Sequence, residues 1–568
     1  MTSFLLDVPV GYAKNPVEPR HEPFRSSLNS PCLEPPSYSI LDGLPHEIRS
    51  LVAVYLNQHD ALNLALTCKE LAASCLPRLY HTVIVDANYT EFSKEYDLSS
   101  TYIKSSYSFK KLIQRYQHQY PIHVLSVVSL PDSMNIYDID INEQLLRFFS
   151  KLRCLRSLSW LSDNFKLEYL KRLPCQASME QLNLNIKFSN YLGELTSNCP
   201  LFNFINLSHF HIRPFYNQNR LIKIIDSLLV CDNAAAVERN LNSLRLSRFD
   251  KDTNAVLPSP RELDGVLWET AAREGLYVPH PREYELGTLQ AVFRRSKLQH
   301  VKLTLTELCL NDFLVCERDA KLLANATDLT RLQRLELRNV SEYGQSTIEE
   351  TSPGFLGTLA PLLNGLMYLN LDYRETRRDS VPLVLGSCPN LVELDLVIRM
   401  NEIKSQHVDP DSLYQDYSTK LSEQTKLTKL SLELREETSF CDVALATPTT
   451  LIHGIQKLRQ LLALRLNPSD TSRGMEEFLA LLGRLQKLEI LDVFGTRAGG
   501  APHMALGAVH PNVYDEWFKV QHVAFLYGET QKSLRYVRIN KCIFEYTGSV
   551  EPRDEIDRWF EGRVRVGD

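Results

Sequence analysis

The cysteine and histidine side chains are the residues of this chain best suited to bind a metal or to act as nucleophiles. Twelve cysteines are scattered along the sequence without a C-x-x-C pair, and Cys309 and Cys316 share one stretch that has no histidine at ligand spacing. His209 and His211 alternate as on a strand, but no third ligand follows nearby. A structural zinc site needs a closer cluster of ligands. We therefore expect reduced, mostly buried thiols and no metal site.

Sequence motifs for catalysis are missing as well. The chain has no Walker A pattern, no G-x-S-x-G elbow and no H-E-x-x-H motif. The segment GTRAGGAPHMALG is rich in glycine but lacks the lysine that holds a phosphate. Acidic residues could form an acid–base pair by proximity in space, but the sequence selects none. We expect a protein without catalytic residues or cofactors, and an enzyme formed from residues distant in sequence is the weakest alternative.

Composition excludes several other classes. Of the 568 residues 44% are hydrophobic, which is typical of a folded protein, and the formal net charge of -6 gives no basic field for nucleic acid. No apolar run reaches the roughly 18 residues that a membrane span requires. The N-terminus has neither the apolar region of a secretory signal nor the acid-poor composition of a transit peptide. We expect a cytoplasmic or nuclear protein without a membrane span.

Residues 40–80, ILDGLPHEIRSLVAVYLNQHDALNLALTCKELAASCLPRLY, predict three short helices. Pro45 is tolerated in a first helical turn, and Glu47 follows where a negative charge suits the helix dipole. Asp60 is the expected N-cap of the second helix, and Thr67 that of the third. Apolar residues three and four positions apart predict one apolar face on the first helix, made of Ile48, Leu51, Val52, Tyr55 and Leu56. Periodicity alone predicts a small helical bundle and says nothing of its function.

The order of residues in this segment resembles an F-box, in the version common in fungal proteins. The resemblance is carried by Leu44-Pro45-x-Glu47-Ile48, Tyr55-Leu56, Asp60-Ala61-Leu62, Leu66-x-Cys68-Lys69 and Leu79-Tyr80. It implies a three-helix module that docks the Skp-type adaptor of an SCF ubiquitin ligase and, through it, a cullin. The implied adaptor contacts are Leu44, Pro45, Ile48, Leu51, Leu56 and Leu62. For each of them, packing in the module's own core is an equally good interpretation.

The pattern L-x-x-L-x-L recurs through the rest of the chain. Examples are LRSLSWL, LNSLRL, LQHVKLTL, LQRLEL, LMYLNL, LVELDL, LTKLSLEL, LLALRL, LEILDV and LRYVRI. Most starts are roughly 22–36 residues apart, which overlaps and exceeds the usual leucine-rich-repeat range of 20–29. Each L-x-L predicts a short strand, and the apolar runs between them predict helices. Cys-Pro before a repeat, as in SCPNLVELDL, resembles the cysteine-containing repeats often attached to F-boxes.

The predicted fold is therefore α/β: a small three-helix F-box, then an irregular leucine-rich-repeat solenoid with parallel strands on its concave face and helices on its convex face. We expect the following segments: 1–39, a flexible arm; 40–80, the F-box; 81–153, a connecting region; 154–546, the solenoid, with insertions near 249–296 and 497–531; 547–568, a C-terminal helix or tail. The alternative fold is an α/β domain with coincidental leucines.

Residues between the two strand leucines should lie on the concave face, where solenoids bind partners. These positions are polar and mixed in charge, which suits a protein partner of complementary charge. The predicted partner-binding residues are Arg245, Lys302, Glu336, Asp395, Arg435, Arg465 and Arg538, of which the last three are candidates for a phosphate contact. For any single residue, an ordinary solvated face is the better interpretation.

Together the two ends predict the substrate receptor of an SCF ligase, which holds an unidentified target protein near the ubiquitin-carrying enzyme and needs no catalytic residue. The alternative is a scaffold outside the ligase, which binds the adaptor and sequesters or regulates a protein partner.

Overall fold

The chain folds, in the computed structural model, into helices and short strands that alternate along most of its length. The described residues are 43–87, 99–117, 119–130, 139–162, 165–186, 203–213, 215, 221, 224–225, 240–248, 289, 293, 302–342, 353–374, 380–399, 410–437, 442–469, 471–495, 513–540, 542–547, 550–552 and 563–564. The predicted arm 1–39 and nearly all of the insertion 249–296 lie outside them. The chain divides into two compact units: Met1–Thr90 with Tyr96–Met179, and Glu91–Glu95 with Glu180–Asp568.

Three helices open the first unit: α1 (His46–Val54), α2 (Gln58–Thr67) and α3 (Lys69–His81). Both predicted N-caps are wrong. Asn57 caps α2 by accepting from the Asp60 amide at 2.8 Å, which places Asp60 inside the first turn. The Cys68 thiol caps α3 by accepting from the Leu71 amide at 3.4 Å, because Thr67 still belongs to α2.

The rest of the first unit contains β1 (Thr82–Asp86), β2 (Thr101–Ile103), α4 (Ser106–Arg115), β3 (Val124–Ser129), α5 (Ile139–Phe149), β4 (Ser157–Trp160) and α6 (Leu167–Arg172). All four strands are parallel, in the order β2-β1-β3-β4. The segment 81–153, which we expected to be a connection, therefore already alternates helices with parallel strands. Phe149 of this segment forms an aromatic core with Trp160 and Tyr169, which follow it, and the three rings are in mutual contact.

The second unit contains strands β5 (Gln181–Leu184), β6 (His209–Ile212), β7 (Ser243–Ser247), β8 (Glu307–Asn311), β9 (Leu314–Val315), β10 (Arg334–Glu342), β11 (Tyr368–Arg374), β12 (Glu393–Arg399), β13 (Lys429–Glu437), β14 (Asp442–Leu445), β15 (Ala463–Leu466), β16 (Ile490–Val493), β17 (Tyr536–Ile539), β18 (Cys542–Tyr546) and β19 (Val550–Pro552). Its helices are α7 (Glu317–Ala326), α8 (Gly354–Leu359), α9 (Ser380–Ser387), α10 (Pro410–Ser422), α11 (Thr449–Ile455), α12 (Ser472–Leu482) and α13 (Val513–Thr530). Consecutive helices from α7 to α13 contact one another.

Parallel pairing runs from β5 through β6, β7, β8, β10, β11, β12, β13, β15 and β16 to β17. The first strand leucines lie side by side in this register and are all buried: Leu244, Leu308, Leu335, Leu369, Leu394, Leu430, Leu464 and Leu491. One strand–helix unit cannot bury such a row alone, so stacking of neighbours makes the core.

Two sequence expectations differ from this arrangement. LQHVKLTL was expected to supply a strand, but its described residues 302–305 hold only an isolated bridge at Leu303, and the strand of that repeat is the following segment ELCLN, β8. Lys302 therefore does not lie on a strand; it is exposed, and its Nζ donates to the carbonyl of Ala324 at 3.0 Å. The C-terminal half of the expected insertion 497–531 contains the helix α13, and its residues 497–512 lie outside the described residues. Antiparallel strands β14, β18 and β19, which the leucine pattern does not predict, extend β13 and β17.

Candidate partner-binding surfaces

Helix α1 presents an apolar face outside the core of its own module. Four large apolar side chains on it are exposed: Ile48 (44%), Leu51 (56%), Val54 (51%) and Tyr55 (80%). Their spacing of three and four residues puts them on one side of the helix, while Ala53 packs inward with Ala65 and Cys75. An exposed apolar strip that its own fold does not cover is typical of a docking surface.

The six predicted adaptor contacts divide between this face and the core. Pro45, Ile48 and Leu51 are exposed, and Leu44 is half-buried. Leu62 is buried against Ala61 and Leu79, and Leu56 packs on the same cluster, so these two stabilise the module. Val54 and Tyr55 belong to the exposed face but were absent from the predicted set. Their helical spacing from Leu51 was the signal that could have found them.

On the second unit, the residues between the strand leucines form a polar row on the opposite face of the sheet. Neighbouring strands bring into register Arg245, Cys309, Glu336, Asn370, Asp395, Ser431, Arg465, Asp492 and Arg538. Five of the seven predicted partner-binding residues lie in this row, and Arg435 lies on the same face further along β13. Lys302 does not lie on it.

This polar face is not the solvated surface that the sequence predicted. Seven residues form an alternating charge chain across β11 to β17: Arg399, Asp372, Arg435, Glu433, Arg465, Asp492 and Arg538. All but Arg435 are buried. Four of the six links join adjacent parallel strands, where side chains that point the same way lie within reach of each other; Arg435 pairs with Glu433 of its own strand and reaches Asp372 across β12.

The strongest contacts of the alternating charge chain are bidentate pairs, in which one arginine donates to both oxygens of a carboxylate. Arg399 donates to both oxygens of Asp372 at 2.7 and 2.9 Å, and Arg538 does the same to Asp492 at 2.9 and 2.7 Å. Such bidentate, charge-assisted pairs are stronger and more directional than single hydrogen bonds. Arg465 joins the two halves: its Nη1 donates to Glu433 at 3.1 Å, and its Nε lies 2.9 Å from Asp492 Oδ2 as an ion pair without hydrogen-bond geometry.

Electrostatics keep the Glu433 carboxylate ionised. Burial alone would raise the pKa of Glu433, but the hydrogen bond from Arg435 and the charges of Arg435 and Arg465 outweigh it and lower that pKa. The three candidate phosphate ligands, Arg435, Arg465 and Arg538, each already hold a carboxylate. A phosphate would have to displace these partners, which weighs against the phosphate prediction.

A second group of charges, the β7–β10 cluster, surrounds Glu307 and Glu336. Arg245 and Ser243 both donate to Glu307, the latter at 2.6 Å. Arg334 donates to Glu336 Oε1 at 2.7 Å and lies 3.4 Å from Glu307. Arg338 approaches Glu336 at 3.2 Å and keeps 33% of its side chain exposed, more than any arginine of the alternating charge chain. This cluster is the more accessible of the two.

The contact of His211 with Ser243 resembles part of a hydrolase site but has the wrong connections. His211 Nε2 lies 2.9 Å from Ser243 Oγ, and that hydroxyl donates its proton to Glu307. In a nucleophilic triad the histidine stands between the hydroxyl and the carboxylate and takes the hydroxyl proton. Burial, reinforced by Arg245, lowers the pKa of His211 to about 3, so it is a neutral hydrogen-bond donor. The arrangement is structural.

The described part of the chain holds no group of three or more His, Cys, Asp or Glu that could bind a metal ion. Among the described helices, none is long and apolar enough to cross a membrane.

Comparisons with known proteins add little to these observations. No family model matches the chain, and no curated protein matches its sequence. Among solved structures, the leucine-rich repeat-containing protein LegL7 from Legionella pneumophila is similar at 13% identity and a TM-score of 0.27, covering 75% of this chain and 91% of that one. A TLR13–ssRNA13 complex is similar at 13% identity and a TM-score of 0.26, covering 68% of this chain and 51% of that one. At these scores neither likeness defines the fold, which rests on the repeated strands, their parallel register and the buried leucine row. Those features fit a leucine-rich-repeat solenoid.

Proposed function

We propose that the chain is the substrate-recognition subunit of an SCF-type ubiquitin ligase. The exposed apolar face of α1 carries this proposal, because it coincides with the residues whose order resembles an F-box. Ile48 and Leu51 contribute large apolar side chains that stay 44% and 56% exposed. A Skp-type adaptor that covers this face removes them from water, and the adaptor in turn connects the chain to a cullin.

The polar strand face of the second unit is the proposed site for the target protein. Its buried charges hold neighbouring strands together, so the partner would contact the partly exposed members, Arg334, Arg338, Lys429 and Arg435. Charged groups at the accessible edge of an interface mainly set specificity and association rate. The chain itself would supply no chemistry. It would act in the cytoplasm or nucleus, by holding the target close to the ubiquitin-carrying enzyme.

The test is binding of the purified full-length chain to a purified Skp-type adaptor. We expect saturable binding, and at least a tenfold loss when Ile48→Asp and Leu51→Asp are combined. The matched control combines Leu383→Asp with Leu462→Asp, which places the same two charges on exposed leucines of the other unit. Absence of binding by the unmodified chain, or equal affinity of the double variant and the control, would overturn the proposal.

The scaffold alternative differs in the next partner. A ligase subunit recruits cullin through the adaptor, whereas a scaffold outside the ligase binds the adaptor alone. Addition of purified cullin to the preformed adaptor complex separates them: a ternary complex supports the ligase subunit, and its absence with the adaptor bound supports the scaffold.

A further inference from the structure

The residue Val564 lies on the polar strand face at the last repeats. Its side chain is only 1% exposed, and it forms a cluster with Ile543, against which Ile490 and Tyr536 also pack. The alternating charge chain occupies much of this face, so a packed aliphatic cluster differs in chemistry from the surface beside it.

The three residues that receive Val564 belong to the polar face by register. Ile490 and Tyr536 are paired on β16 and β17, each two residues before Asp492 and Arg538, which are also paired. Ile543 of β18 stands opposite Arg538 in the antiparallel pair. Side chains two residues apart on a strand share a face. Ile490, Tyr536 and Ile543 therefore form an apolar shelf beside the buried Asp492–Arg538 pair.

This shelf is a local departure from the pattern of the earlier repeats. The equivalent positions on β12 and β13 are Glu393 and Lys429, which form an ion pair at 2.7 Å. At those positions the two side chains of the face pair with each other through opposite charges. On β16 and β17 it offers apolar surface instead, and a residue from the C-terminal segment covers that surface.

We propose that Val564 anchors the C-terminal segment of the chain on the apolar shelf, which makes this segment an internal ligand of the strand face. The shelf is then a docking site for a short peptide with an aliphatic side chain, and the chain's own segment competes with any partner that reaches this end of the face. This inference rests on the proposed role of the strand face in binding a target. It does not require that the chain joins a ubiquitin ligase.

Competition follows from tethering. A segment joined to the chain by a short connection has an effective concentration on the order of millimolar at its own site. A free peptide of the same sequence therefore binds poorly while the tethered copy is seated, and binds well once the tethered copy is released.

The experiment measures fluorescence anisotropy of a labelled peptide with the sequence of residues 553–568, added to the full-length chain. The variant Val564→Asp should release the tethered segment, and we expect it to bind the peptide at least tenfold more tightly than the unmodified chain does. The control Leu526→Asp places the same charge on an exposed leucine of α13 and should behave like the unmodified chain. A peptide that itself carries Val564→Asp should not bind.

A second design avoids any substitution at the anchor. A protease site inserted after Pro552 lets the intact chain fold first, and cleavage then frees the segment. We expect the labelled peptide to exchange into the cleaved chain, while melting and far-UV circular dichroism show that the fold persists. Failure of exchange in a folded, cleaved chain, or of peptide binding to a folded Val564→Asp variant, would overturn the proposal, because the segment would then be a permanent part of the core. No adaptor or cullin is present, so failure of this inference and failure of the ligase proposal are separate results.

Discussion

Replacement of Asp492 by asparagine tests whether the polar strand face is buried or solvated. Asp492 is 1% exposed and is held by two hydrogen bonds from Arg538 and by the Arg465 guanidinium 2.9 Å away. Asp492→Asn keeps the shape but leaves two buried guanidiniums without that charge. Removing one partner of a buried ion pair typically costs about 3–5 kcal/mol, whereas an exposed pair contributes about 0–1 kcal/mol. We expect a loss of about 3–5 kcal/mol in the local free energy of opening.

Native-state hydrogen exchange is the appropriate assay, since a chain with two compact units need not unfold in one step. Protection of β15, β16 and β17 is compared between the unmodified chain and the variant. The matched control is Glu489→Gln, directly before β16, whose ion pair with Arg535 is exposed and spans 3.8 Å. We expect a change below about 1 kcal/mol for the control. Equal, small effects of both substitutions would refute the reasoning and indicate that the polar strand face is solvated.

Three further outcomes are expected. Because the pKa of His211 is about 3 in the folded chain against an ordinary value of 6.5, the unfolded chain binds the proton first. Stability should therefore fall as pH decreases from about 6.5 toward 3, by up to ~1.4 kcal/mol per pH unit, and His211→Gln should flatten that slope in urea titrations; an unchanged slope contradicts the assignment. Leu62→Ala should destabilise the three-helix module by about 2–4 kcal/mol in hydrogen exchange, while Leu51→Ala should change it by less than about 0.5 kcal/mol; comparable losses would mean that Leu51 is core. Burial, with Glu336 nearby, raises the pKa of Cys309 to about 12, so iodoacetamide should modify the exposed Cys154 in the native chain and leave Cys309 intact, as mass spectrometry of the peptides can check.

The N-terminal helices show which structural features local sequence patterns can predict. Helical spacing correctly indicated that Ile48 and Leu51 share a face, but it could not say whether that face is inside or outside the module. Leu62 has the same chemistry and is buried. The difference depends on how α1, α2 and α3 pack, which is a property of the bundle and not of any one helix. The observed N-cap of α2 differs from the predicted one for a related reason. Asn57 and Asp60 are both good capping residues, and the direction in which the chain enters α2 selected Asn57.

The repeats show both a success and a failure of periodicity. Nine of the ten quoted L-x-L segments match strands of the described chain, because leucines at alternate positions must leave water together. LQHVKLTL failed because the next segment, ELCLN, has the same alternation and pairs in register with both β7 and β10. When two neighbouring segments share the same alternation, only pairing with the adjacent strands decides which of them forms the strand.

The sequence by itself determined which positions are apolar and recur, and therefore that the chain builds its core from stacked strand–helix units. It also determined which residue types stand between the leucines. Only the tertiary structure decided what those residues do. Arg538 and Asp492 are far apart along the chain, and parallel register places them in a bidentate pair. Hydrophobic burial is non-directional and can be read from periodicity, whereas an ion pair requires two particular side chains to meet at a particular distance. For that reason a face predicted to be open and solvated is largely a buried network of charges.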